Sequence, residues 1–109
     1  RLLAKKLVQD NFRALEAADG REGLDTVAQE IPDLIVLDLM MPAMDGFQVL
    51  EALKKNPVTR DVPVVVWSNI GEQDTMAKAK LLGAVDYMVK ANLTLEEIVQ
   101  KISDILSKK

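Results

Sequence analysis

Two periodicities alternate along the chain. Leu2, Leu3, Leu7 and Val8 recur at the spacing of one helix face, and residues 11–20, NFRALEAADG, read as a short strand closed by a turn. Asp19 stands where a helix N-cap belongs, and Glu22 completes a capping box ahead of Leu24, Val27 and Ala28. Pro32 resets the chain. Residues 34–38, LIVLD, then form a continuous apolar run closed by one acid, as in a strand covered on both faces. After a loop carrying Pro42, Asp45 can cap a helix with Phe47, Leu50 and Leu53 inward. Residues 54–61, KKNPVTRD, make a polar connector, and 62–69, VPVVVWSN, a second buried strand. Residues 71–83 predict a helix with a thin apolar stripe, stopped by Gly83, and 84–90, AVDYMVK, a third buried strand. Thr94 and Glu97 form another capping box, opening a helix with Leu95, Ile98, Val99, Ile102, Ile105 and Leu106 on one face.

The resulting order is α-β-α-β-α-β-α-β-α with short connections. Regular alternation predicts an α/β fold, a doubly wound parallel sheet sandwiched between helices in three layers. In such sheets the functional crevice lies beyond the carboxyl ends of the strands. Asp38, Ser68 and Lys90 each end one of the three buried strands, so all three are expected at the same edge.

Composition narrows the chemistry. With 109 residues, 49% hydrophobic and 28% charged, residues 1–109 are expected to form one domain. A net charge of −3 with scattered basic residues gives no footprint for nucleic acid. There is neither an apolar run long enough to cross a membrane nor a signal-peptide pattern, so a cytoplasmic location is expected. Zero cysteine and zero histidine exclude disulfides, thiolate or imidazole metal sites and histidine-based triads. Carboxylates, hydroxyls and lysines must carry whatever chemistry there is. A carboxylate, a hydroxyl and an ammonium converging on one crevice suit phosphoryl transfer. The carboxylate can form an acyl phosphate while the other two bind phosphoryl oxygens.

Residues 38–46, DLMMPAMDG, resemble the phosphoacceptor loop of response-regulator receiver domains, with proline four and glycine eight residues after the aspartate. The spacing of Ser68 and Lys90 from Asp38 resembles that of the family's hydroxyl and lysine, and Tyr87 stands where the family keeps its switch aromatic. The likeness runs over essentially the whole chain. It implies a flavodoxin-like sheet of order 2-1-3-4-5. It also implies a signalling phosphoacceptor rather than an enzyme, part of a two-component system. Asp38 would take a phosphoryl group from a sensor histidine kinase or phosphotransfer protein. Mg²⁺ would neutralise the oxygens, held by Asp38 and the backbone carbonyl of Met40. Ser68 and Lys90 would bind the phosphoryl group, Tyr87 would rotate inward, and the fourth helix, fifth strand and fifth helix would present the changed surface to an effector protein.

Several features depart from the family pattern. Ala91 follows Lys90 where the family has proline, Asn69 follows Ser68 where a small residue is usual, and Trp67 is bulky and expected to pack under a helix. The family's first strand, ending in the acidic pair that holds magnesium, is absent before the first helix, and the chain opens at Arg1 rather than methionine. Asp10 and Asp19 lie at a helix end and a turn, so they do not replace that pair. The strand and its acids are therefore expected upstream of Arg1, or from another chain in a strand-swapped dimer; phosphorylation could also link a dimer. Other readings remain open. One is a pseudo-receiver that binds protein partners without phosphorylation. Another is an aspartate-nucleophile phosphatase of the haloacid dehalogenase type, against which Met40 stands where a second acid belongs. A third is a flavin-binding domain, which needs a phosphate-cradling loop after its first strand.

Overall fold

The computed structural model describes residues 20–38, 46–69 and 71–107. The expected first helix, the strand within 11–20, the Asp19 and Asp45 caps, Asp10 and Met40 lie outside those residues. In chain order the described elements are α1 (Gly20–Gln29), β1 (Ile35–Leu37), α2 (Gly46–Lys55), β2 (Val64–Ser68), α3 (Gln73–Leu81), β3 (Asp86–Val89), a 3₁₀ turn (Lys90–Asn92) and α4 (Leu95–Ser107). All three strands are parallel and lie side by side as β1-β2-β3. Consecutive parallel strands need crossover connections, and α2 and α3 supply them.

The period of two along each strand separates two apolar layers. Leu37, Val64, Val66 and Tyr87 face Val49, Leu50 and Leu53 of α2 and Ala79 of α3, with Leu24 and Val27 of α1 packed alongside. Val65 and Met88 face the other way, onto Ile98, Val99 and Ile102 of α4, with Leu34, Val36 and Trp67 at the margin. Helices therefore cover both faces, as the alternating sequence implied.

Burial differs between the strands. Val64, Val65 and Val66 of the central strand are wholly buried. Ile35 and Val36 of β1, which has one hydrogen-bonded neighbour among the described residues, keep some surface open. The run at 34–38 is thus less completely covered than its apolar character suggested.

Several local expectations are met atom by atom. The Thr94 N–H donates to Glu97 Oε1 at 2.9 Å while the Glu97 N–H donates to Thr94 Oγ1 at 3.2 Å, a reciprocal capping box. Helix α3 ends before Gly83, whose φ of +113° is the left-handed backbone that a side chain rarely adopts. The thin stripe of α3 is also real, for Ala79 is its single fully buried residue. The polar connector before β2 is more ordered than its composition indicates. Buried Thr59 donates to the Leu53 carbonyl at 2.7 Å, and Lys54 Nζ donates to the carbonyls of Arg60 and Val62 at 3.1 and 3.0 Å. The strands are shorter than the apolar runs. Ala84 and Val85 precede β3, and Lys90, at its end, already belongs to the 3₁₀ turn.

Candidate functional site

Hydrophobic strands make a rigid mount, and polar residues at their carboxyl ends are held by that mount. Asp38 immediately follows β1, Ser68 is the last residue of β2, and Lys90 immediately follows β3. The registers Leu37↔Val66, Trp67↔Met88 and Ser68↔Val89 bring these three ends to one edge of the sheet.

Asp38 and Lys90 meet there directly. The ammonium donates to Asp38 Oδ2 at 2.7 Å, with side-chain exposures of 29% for Lys90 and 18% for Asp38. That distance is characteristic of a charge-assisted hydrogen bond, and partial cover reduces the screening that weakens exposed pairs. Lys90 also lies over the ring of Trp67, 4.7 Å from its centroid. Ser68 is fully buried, on the opposite face parity of β2 from Trp67. Asn69 beside it is exposed.

Tyr87 is not at the edge. It is 7% exposed and belongs to the core layer shared with Val66, Ala79 and Ala84, so its ring is directed inward. Trp67 packs at the margin of the α4 layer, as its bulk suggested. Its contact with Lys90 was not legible from composition alone, although the alternation of β2 and β3 carries the signal. Trp67 and Lys90 share the parity of Val65 and Met88, which face α4.

Magnesium needs hard oxygen donors in near-octahedral array. Among the described residues no group of three or more acidic side chains could hold a metal ion, and the carbonyl of Met40 lies outside them. The single carboxylate of Asp38 has suitable chemistry but does not by itself amount to a magnesium site. No described helix is long and apolar enough to cross a membrane.

Comparison with known proteins shows the family. The family model described as response regulator receiver domain matches residues 1–103. The chain is 39% identical over 90 residues to the response regulator PleD of Caulobacter vibrioides, an alignment covering 83% of this chain and 20% of that protein. It is 34% identical over 100 residues to the phosphate regulon transcriptional regulatory protein PhoB of Escherichia coli, covering 92% of this chain and 43% of PhoB. The chain therefore spans less than half the length of these curated relatives. The structure of the Francisella response regulator 1452 receiver domain superimposes with a TM-score of 0.89 at 24% identity, covering 98% of this chain and 86% of that one. Strand order, layer arrangement and the match over nearly all residues lead to one conclusion: the chain belongs to the response regulator receiver domains of two-component signalling.

Proposed function

We propose that this receiver is a working phosphoacceptor, with Asp38 as the nucleophile. The observation that carries the reading is the 2.7 Å bond from Lys90 to Asp38 at the carboxyl edge of the sheet. A carboxylate oxygen of Asp38 attacks the phosphorus of a phosphohistidine on a sensor kinase or phosphotransfer protein. The new O–P bond makes an acyl phosphate, and the P–N bond breaks with its electron pair returning to the imidazole. Bound Mg²⁺ would neutralise phosphoryl charge, as expected for receiver domains.

Lys90 and Ser68 act on the product. Once Asp38 is an acyl phosphate its carboxylate charge is gone, and the phosphoryl oxygens, which carry the charge that the transferred group brings with it, become the stronger acceptor for Lys90. Ser68, at the end of β2 and three residues from the start of the 71–81 segment, can donate to the same oxygens and draw that segment with it. Helix α3 is anchored by one fully buried residue, Ala79, so its displacement costs little. Tyr87 is buried in the same apolar layer as Ala79 of α3. The phosphoryl group then acts as a ligand that favours one of two arrangements by what it contacts better in one of them. The readout surface is α3, β3 and α4; Leu81 of α3 is 88% exposed and Val85, just before β3, is 53% exposed, suiting contact with an effector protein.

The test is intact mass after incubation with acetyl phosphate and Mg²⁺, beside Asp38→Asn. A gain of one phosphoryl group in the parent and none in the variant supports the reading. No gain in either, from protein whose untreated mass shows the acidic pair upstream of Arg1 to be present, leaves a receiver fold that binds partners without phosphotransfer.

A further inference from the structure

We propose that Trp67 is a positioning residue for Lys90, the face of its indole holding the ammonium against Asp38. Lys90 leaves β3 and Asp38 leaves β1, so the lysine must reach across the central strand to make its bond. Adjacent strands lie about 4.8 Å apart, and the crossing therefore spans roughly 10 Å. A lysine is a flexible stem whose ordering costs side-chain entropy, and its ammonium has no preferred direction of its own.

What lies beneath the crossing is fixed by register and parity. Leu37 pairs with Val66 and Trp67 with Met88, so Asp38, Trp67 and Met88 occupy one level across the sheet. Val36, Val65 and Met88 lie on the α4 side, and Asp38, Trp67 and Lys90 each follow by two residues on the same parity. The central strand thus places one side chain under the path of Lys90, and that side chain is an indole. The ammonium sits 4.7 Å from the ring centroid, within the range of a cation–π attraction.

A second observation identifies which part of the indole matters. Trp67 Nε1 is buried and has no hydrogen-bond partner among the described residues. A buried N–H without a partner is unfavourable, so it is not what keeps the ring there. The ring is instead held by its faces, against the apolar margin of the α4 layer and against Lys90. Phenylalanine should therefore substitute for it, and leucine, with no π face, should not.

The proposal rests on the phosphoacceptor reading only for its kinetic arm, and two readouts keep the two separable. In the NMR spectrum the ε-methylene protons of Lys90 should be displaced upfield by the indole ring current, remain displaced in Trp67→Phe and return to ordinary lysine positions in Trp67→Leu. With acetyl phosphate and Mg²⁺, phosphoryl uptake in Trp67→Leu should fall about two- to fivefold, the range of an exposed cation–π contact, while Trp67→Phe stays near the parent rate. Trp67 is the sole tryptophan, so its emission should also change in Lys90→Met, a variant that leaves the ring in place. Undisplaced Lys90 protons in the parent, or emission unaltered in Lys90→Met, would overturn the proposal. So would a parent that accepts phosphate at the same rate as Trp67→Leu. A parent that accepts no phosphate at all would refute the phosphoacceptor reading, and the NMR displacement would still decide whether the indole holds the lysine.

Discussion

Removing the Lys90–Asp38 contact should reveal a coupling of about 1–2 kcal/mol between the two side chains. At 2.7 Å the gross attraction of two unit charges with an effective dielectric near 20 is about 6 kcal/mol. Most of that is offset by stripping water from both groups and by ordering the lysine. The remainder is bounded by measured cases: about 0.2–1 kcal/mol for fully exposed pairs and about 1.5–3 kcal/mol for hydrogen bonds to charged groups. With exposures of 29% and 18%, the pair falls between those classes. The assay is urea unfolding of the parent, Lys90→Met, Asp38→Asn and the double variant, with the coupling taken from the closed cycle. Because both charges are partly covered, the coupling should persist when salt is raised. A coupling within about 0.3 kcal/mol of zero would refute the reasoning, since independent sites add to that precision.

Other expectations are read by the same unfolding assay. Thr94→Ala should cost about 1 kcal/mol, because it leaves the Glu97 N–H without its cap. Leu50→Ala should cost about 2–5 kcal/mol, since Leu50 is wholly buried between α2 and the sheet, whereas Leu81→Ala, at a residue 88% exposed, should stay within about 0.5 kcal/mol of the parent. Burial holds the Lys54 ammonium below its ordinary pKa of 10.5, opposed by the nearby Asp61 charge. The unfolded chain therefore binds that proton more tightly, and the Lys54 contribution to stability should rise as pH climbs from below the lowered value toward 10.5. Comparing the parent with Lys54→Met at neutral and alkaline pH isolates it: the parent should gain relative to the variant, and a relative loss would contradict the sign.

The parts of the fold legible in the sequence were those with a strong local signal. The apolar runs ending at Asp38, Ser68 and Lys90 located three adjacent parallel strands, and the Thr94–Glu97 spacing gave the start of α4 together with both of its hydrogen bonds. Alternation also identified the sheet edge at which Asp38 and Lys90 meet. Strand ends were less legible, because Pro63 lacks an N–H for the ladder and Lys90 turns into a 3₁₀ segment, facts that an apolar run does not encode. Contacts at long range were the least legible. Lys54 binding the carbonyls of Arg60 and Val62, and Lys90 crossing the Trp67 ring, depend on how connectors and strands fall in register. Lys54 read only as part of a polar connector and Trp67 as a residue packed under a helix, while Lys90 was expected at the site but its path over the indole was not.

The most direct measurement of the central claim is chemical trapping of the phosphorylated residue. After incubation with acetyl phosphate and Mg²⁺, borohydride reduces an aspartyl phosphate to homoserine, and peptide mass analysis then reads the position. The account requires homoserine at position 38 and at no other acidic position. Trapping at a different aspartate, or a peptide containing unmodified Asp38 from protein that had gained a phosphoryl group quantitatively, would contradict it.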